Sequence, residues 1–353
     1  MTVVDRTLGR ALAASGPVLG GAVGLTGRAL DVGERLTAAR RARLPRGRTV
    51  DPRRFAGLPD WPYEPRWVTV QPGGHRMAYV EAGPPDGPVA WLQHGNPAWG
   101  YYFRAAIAPL AAAGFRVVVP DLVGFGRSDR PTSRAAHTYA HHEAWLRSFV
   151  EQLDLRDVHA HLHDWGGLLG LRLVAFSPER FRRVLVSNTA LPLGDGGPVP
   201  PLFRAWQLAA QVLPTFGRVI DQQSRRKLPP SVIAAYDAPF PSHASALGPR
   251  QLPLRVPLRV GDEGADRNRA AMTALRRFDK PFLTAFSDPD DITTGAAELF
   301  RRHVPGADPG VVGGPHPTFP GTLHYLMEDV PDELVALMLA FFRGAPLPAD
   351  TGS

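Results

Sequence analysis

The sequence contains no cysteine, which excludes disulfide bonds, thiolate metal sites, iron–sulfur clusters and a cysteine nucleophile. It also lacks an uninterrupted apolar run of about 18 residues, so a conventional transmembrane helix is not expected. Its 40 basic and 33 acidic residues give a formal charge of only +7, which does not indicate nucleic acid binding at a length of 353 residues. A hydrophobic content of 44% and a charged content of 21% are typical of a globular protein with a sizeable core.

The first 48 residues differ from the rest in charge. They contain nine arginines and three acidic residues, which accounts for nearly all of the chain's net positive charge. Three interpretations of this N-terminal extension stay open: a mobile or loosely helical segment, a helix lying on an acidic membrane surface, and a signal peptide. We expect a cytoplasmic protein in which residues 1–48 are the segment that could contact a membrane. The sequence does not determine the oligomeric state.

Beyond the extension, short apolar strands alternate with helices, which predicts a mostly parallel α/β sheet with helices on both faces. The alternation stops after residue 188 and strand character returns at Pro281–Phe286. The proline- and arginine-rich stretch between them predicts a helical cap inserted over a pocket. We therefore expect an α/β core (49–190 and 280–345), a cap (191–279) and a tail (346–353).

The most informative segment is Val158–Gly167, where a predicted strand runs through a tight turn directly into a predicted helix. Asp164 lies at the turn, and Gly166 and Gly167 allow the helix to pack close to the strand. This is the pattern of a nucleophile elbow, with aspartate at the position that serine occupies in serine hydrolases. Taken alone, Asp164 also fits the simpler interpretation of a helix N-cap.

Two further features favour the nucleophile. The loop His94–Trp99 follows a buried strand, at a position that supplies a donor to an oxyanion hole. Asp290 and His324 come after Asp164 in the chain, which is the order of nucleophile, acid and histidine in α/β-hydrolases. Asp290 follows a strand at its carboxyl end, where such sheets hold their sites, and Asp288 is the fallback for the acid.

An aspartate nucleophile implies a definite chemistry. The carboxylate of Asp164 attacks saturated carbon and leaves an ester. His324 then takes a proton from water, which attacks the carbonyl carbon of that ester, while Asp290 orients the imidazole. Backbone N–H groups of Trp165 and Asn96 are expected to bind the resulting oxyanion. This reaction needs no cofactor.

These residues resemble the haloalkane dehalogenases of the α/β-hydrolase fold, and the resemblance covers about residues 51–345. Each matching stretch is moderately specific, and their order along the chain makes the resemblance strong. The matching stretches are His94–Arg104, Asp121–Asp129, His163–Gly167, Asn188–Asp195, Ala235–Pro241, Pro281–Thr293 and His324–Asp329.

The resemblance implies residue roles. Asp164 would be the nucleophile and His324 the base, and Trp165 would bind halide through its indole N–H. The second halide donor is a cap tryptophan in one subfamily and an asparagine in others, so Trp206 and Asn96 both qualify. Some members carry a glutamate after the strand that precedes the cap, whereas Asn188 stands there in this chain. The expected partners are a small apolar halogenated substrate, water and the halide product.

An epoxide hydrolase with the same nucleophile and base is the nearest alternative. Such enzymes protonate the opening epoxide with two cap tyrosines, and residues 191–279 contain only Tyr236. Trp165 and Trp206 favour a halide. A binding protein that kept the fold without turnover is a second alternative, which the presence of all three triad residues disfavours.

Three histidines, His159, His161 and His163, alternate along one predicted strand and therefore share a face. That spacing could suggest a metal site. The strand is expected to be internal and no carboxylate cluster accompanies it, so we predict structural histidines and no metal. We expect no nucleic acid partner.

Overall fold

The computed structural model describes residues 49–195, 201–290, 292–293 and 295–348. The extension 1–48 lies outside the described residues, together with the membrane and signal interpretations attached to it. Within the described ranges, no helix is long and apolar enough to cross a membrane.

The central element is a seven-stranded sheet with the strand order β1-β2-β4-β3-β5-β6-β7. The pairs β1·β2 and β2·β4 are antiparallel, and all pairs from β4 through β3, β5 and β6 to β7 are parallel. The strands are β1 (Arg66–Val70), β2 (His75–Ala82), β3 (Val89–Gln93), β4 (Arg116–Pro120), β5 (Val158–His163), β6 (Phe181–Ser187) and β7 (Phe282–Thr284).

Helices cover both faces of this sheet. Every residue of β3 and β5 is buried, as the strands of a parallel sheet between two helical layers require. The α-helices are α1 (Arg104–Ala112), α2 (Tyr139–Gln152), α3 (Trp165–Phe176), α4 (Pro201–Val212), α5 (Gly217–Gln222), α6 (Pro230–Asp237), α7 (Leu247–Gln251), α8 (Ala265–Leu275), α9 (Ala296–His303), α10 (Pro309–Val312), α11 (Leu326–Asp329) and α12 (Pro331–Arg343).

Helices α4 to α8 come between β6 and β7, in the stretch predicted as a cap. No strand interrupts them among the described residues of that stretch. The exact boundaries of core and cap stay a prediction.

The strand expected at Pro281–Phe286 is divided in the structure. β7 ends at Thr284, and the chain then forms β8 (Phe286–Asp288), which pairs in parallel with β9 (Thr318–Pro320) in a separate two-stranded sheet. The division follows from pairing: the N–H of Ala285 still bonds to β6, whereas β8 takes its partner from the segment that precedes His324. The small sheet therefore brings the chain after β7 alongside the histidine loop.

Candidate active site

Asp164 occupies the turn between β5 and α3 in a strained backbone conformation, with a φ of +50°. Its side chain caps no N–H group of the helix, so the simple N-cap interpretation is wrong. The turn is fixed by its backbone, since the Asp164 N–H donates to the carbonyl of Asn188 at 3.2 Å and its carbonyl accepts the Thr189 hydroxyl at 2.6 Å. A side chain on Gly166 would collide with the carbonyl of Gln93, so only glycine permits this close approach.

One carboxylate oxygen of Asp164 is held by the loop after β3. The backbone N–H of Asn96 donates to Oδ1 of Asp164 at 2.6 Å. A Cβ atom on Gly95 would overlap the Asp164 side chain, which explains glycine there. Trp165 is the first residue of α3, where a backbone N–H has no acceptor within the helix. Both expected oxyanion donors, Asn96 and Trp165, thus lie beside Asp164.

The other carboxylate oxygen faces His324. Oδ2 of Asp164 lies 3.5 Å from Nε2 of His324, and Nδ1 of His324 lies 3.4 Å from Oδ1 of Asp290. The imidazole is buried, with 3% of its side chain exposed. Burial acts to lower the pKa of His324, but the carboxylates of Asp290 and Asp164 outweigh it and raise that pKa to about 10. The structure therefore brings together the three residues that the sequence placed 126 and 34 positions apart.

Asp290 is anchored by its own loop. It accepts the backbone N–H of Ile292 at 3.0 Å and the hydroxyl of Thr293. Burial acts to raise the pKa of Asp290, and the neighbouring His324 together with these hydrogen bonds lowers it to about 2. The fallback residue Asp288 has an exposed side chain, and Asp290 is the carboxylate that lies beside Nδ1 of His324, at 3.4 Å.

Two polar side chains beside Asp164 have unused hydrogen-bonding capacity. Trp165 is 3% exposed and packs against Tyr139, with ring centroids 5.1 Å apart. Its indole nitrogen donates to no residue in the described part of the chain. Asn96 is 7% exposed, and its side-chain amide likewise has no partner among the residues described. Both groups are therefore free to bind an anion.

Trp206 lies on α4, in the predicted cap, and its side chain is half-buried. Within the described ranges, it forms no hydrogen bond with Asp164, His324 or Asn96. Its role as a second halide donor stays a prediction.

Tyr236 is the tyrosine on which the epoxide alternative depends, and its hydroxyl is already hydrogen-bonded within the protein. Its hydroxyl donates to Glu328, and Glu328 also binds the guanidinium of Arg104 through two hydrogen bonds of 2.5 and 2.6 Å. This buried cluster joins α6 of the predicted cap to α1 and α11. Tyr236 is thus part of a structural ion-pair cluster.

The β5 histidines are all buried, as predicted for an internal strand. His161 bonds to the Ser187 hydroxyl at 2.7 Å, and His163 bonds to the backbone carbonyl of His324 at 3.0 Å. In the chain segments that the structure describes, no group of three or more histidine or acidic residues could hold a metal ion. Sequence reasoning missed the contact between His163 and His324, because only the fold brings them together.

Comparison with known proteins places this geometry in a family. The protein-family model for the α/β-hydrolase fold matches residues 91–245. A haloalkane dehalogenase of Psychrobacter cryohalolentis is 42% identical over 85% of this chain and 98% of the relative. The chain belongs to the haloalkane dehalogenase family. This membership confirms the family, the fold and the hydrolytic enzyme expected from the sequence.

Further relatives span the same region. A haloalkane dehalogenase of Mycobacterium marinum is 39% identical over 83% of this chain and 98% of its own length. The structure of a tetrameric haloalkane dehalogenase from Paraglaciecola agarilytica superposes with a TM-score of 0.72 and 27% identity, covering 80% of this chain and 94% of that one. A cis-3-alkyl-4-alkyloxetan-2-one decarboxylase of Xanthomonas campestris is 30% identical over 82% of this chain and 99% of the relative.

Proposed function

We propose that this enzyme hydrolyses carbon–halogen bonds of small apolar haloalkanes to an alcohol and a halide through a covalent ester on Asp164. The main support for this proposal is the position of the Asp164 carboxylate. It lies between the Asn96 N–H at 2.6 Å and the His324 imidazole at 3.5 Å. In the first step, an oxygen of Asp164 attacks the halogen-bearing carbon, the carbon–halogen bond breaks, and the halide leaves with its electron pair.

Water completes the reaction. His324 removes a proton from a water molecule, and the hydroxide attacks the carbonyl carbon of the ester. The oxyanion that forms is stabilised by the N–H of Asn96 and that of Trp165, and its collapse releases the alcohol and restores the carboxylate. Asp290 keeps the imidazole oriented and stabilises its protonated form.

We assign halide binding to the indole of Trp165 and the side-chain amide of Asn96. Both lie beside Asp164 with unused capacity, and an uncharged N–H donor stabilises the departing anion without the full charge that would retain the product. Trp206 is the competing second donor. An Asn96→Ala variant should weaken bromide binding more than Trp206→Phe does, and the reverse ranking would assign the role to Trp206.

Bromide release from terminal bromoalkanes tests the function, with Asp164→Ala as the blank. Wild type should release bromide and form the alcohol in equal amounts, and the variant should release none. Folded wild-type protein that releases no bromide across the series would contradict the proposal. The same protein tested on epoxides would then measure the alternative with the same nucleophile.

The oxetanone decarboxylase relative indicates a second candidate substrate class. A β-lactone also presents a saturated carbon bonded to an anionic leaving group, here a carboxylate. Attack by Asp164 on that carbon would break the carbon–oxygen bond, and loss of carbon dioxide would then form an alkene and expel Asp164. A cis-3,4-dialkyloxetan-2-one belongs beside the bromoalkanes in the assay, and alkene formation that Asp164→Ala abolishes would support this activity.

A further inference from the structure

Asn188 directly follows β6 and is completely buried. Asn188 is neither the nucleophile nor the acid nor the base. It nevertheless forms hydrogen bonds with the segments that carry all three. Its backbone has a φ of +37°, in the left-handed region that asparagine tolerates better than most residues. Burying a polar amide and straining its backbone both cost free energy, so the contacts of Asn188 must offset that cost.

The first contact is with the nucleophile. The backbone carbonyl of Asn188 accepts the N–H of Asp164 at 3.2 Å, at the strained position of the elbow. The second is with the segment that leads to the acid, because Oδ1 of Asn188 accepts the N–H of Ser287 on β8 at 2.9 Å. Ser287 lies three residues before Asp290. One residue thus ties the turn of the nucleophile to the strand before the acid.

The third contact is with the base. Nδ2 of Asn188 lies 2.8 Å from the backbone carbonyl of His324 and 3.2 Å from that of Leu323. It also donates to the Ser287 hydroxyl at 2.7 Å, and that hydroxyl in turn donates to Leu323 at 2.5 Å. His163 also donates to the His324 carbonyl, at 3.0 Å.

We propose that Asn188 is a positioning residue. It holds the backbone of His324 where the imidazole lies between the carboxylates of Asp164 and Asp290. The proposal rests on the proposed function, since it assigns the role to the base that activates water. His324 meets its partners at 3.4 and 3.5 Å, so a small displacement of its loop would separate them. Only an amide serves here, because the group must accept one N–H through its oxygen and donate two of its own, to the Ser287 hydroxyl and to the His324 carbonyl.

The two half-reactions separate this role from a general structural one. Ester formation needs only Asp164 and the halide donors, whereas ester hydrolysis needs His324 in place. Asn188→Gly removes the side chain and tolerates the left-handed backbone, so Asp164 keeps its turn. Ser187→Ala is the matched control, because it removes a buried hydrogen bond one residue earlier, to His161, and no hydrogen bond to Asp164, Asp290 or His324.

Rapid mixing with a bromoalkane, followed by mass measurement of the quenched protein, measures both steps. Asn188→Gly should keep a bromide burst within about threefold of wild type, whereas ester hydrolysis should slow by about tenfold to a hundredfold, as expected for a misplaced base. The alkyl ester should then accumulate in Asn188→Gly and not in Ser187→Ala. Equal slowing of both steps, or slowing of neither, would overturn the proposal while leaving the dehalogenase function intact.

A second measurement does not depend on turnover. The Nδ1–H proton of His324, which faces Asp290, is sought as a low-field proton resonance and assigned by its loss in His324→Gln. The resonance should shift or disappear in Asn188→Gly and persist in Ser187→Ala. An unchanged resonance in Asn188→Gly would overturn the proposal. If wild type releases no bromide, this measurement decides the role of Asn188 separately from the failed function.

Discussion

Replacing Asp164 with asparagine should lower the pKa of His324 strongly, because the variant resembles the neutral ester in shape and charge. Oδ2 of Asp164 lies 3.5 Å from Nε2 of His324. At an effective dielectric constant of about 20, two unit charges at that distance interact by about 5 kcal/mol. Since one pKa unit corresponds to about 1.4 kcal/mol, the pKa should fall by about 3.5, from about 10 to near the ordinary value of an imidazole.

Titration of the His324 imidazole by NMR in wild type and Asp164→Asn measures this fall. The resonance is assigned by its absence in His324→Gln. A fall near 3.5 would mean that forming the ester itself lowers the pKa of His324, so the imidazole becomes a neutral base when water must be activated. A fall of less than about one unit would refute the reasoning, because Asp164 would then contribute little of the field at His324.

The same difference should appear in stability. The folded-state pKa of His324 is raised above the ordinary 6.5, so its stabilising contribution is complete below that value and is lost as the pH rises toward about 10. Wild type should therefore lose more free energy of unfolding than Asp164→Asn between pH 6.5 and 10. Equal losses in the two proteins would contradict the coupling.

Three further substitutions test other parts of the account. Asp290→Asn should leave the bromide burst unchanged and slow ester hydrolysis by about 10³- to 10⁴-fold, measured by single-turnover kinetics. A much smaller slowing would show that another group orients His324. Trp165→Phe keeps an aromatic ring and removes the N–H donor, so bromide inhibition should weaken by about tenfold, and unchanged inhibition would exclude the indole. Glu328→Gln leaves the largely buried Arg104 without its counter-charge. The free energy of unfolding in urea should fall by about 3 kcal/mol, whereas a fall below about 1 kcal/mol would mean that solvent screens the pair.

The fold and the proximity of Asp164, Asp290 and His324 could be predicted because their signals are local and ordered along the chain. The turn around Asp164 carries its own glycines, and Asp290 and His324 each lie in a loop next to a recognisable strand or helix. The aspartate at the elbow distinguished this chain from serine hydrolases, because the chemistry of a carboxylate nucleophile differs from that of a hydroxyl.

Contacts between distant segments could not be predicted in the same way. Asn188 was notable in the sequence only for not being an acid, and its hydrogen bonds to Ser287 and His324 span 99 and 136 positions. The pairing of β8 with β9 was missed because a strand pattern identifies an extended segment without identifying its partner. The role of Tyr236 in an ion-pair cluster depends on helices that only the folded chain brings together.

The most direct test of the central claim is a single turnover of a bromoalkane in water enriched in ¹⁸O, with enzyme in excess. If Asp164 is the nucleophile, its oxygen goes to the alcohol and the solvent oxygen enters the carboxylate when hydroxide attacks the ester carbonyl. The account predicts unlabelled alcohol and ¹⁸O in the peptide that contains Asp164. Labelled alcohol with an unlabelled peptide would show direct attack of water on the substrate and would contradict the covalent mechanism.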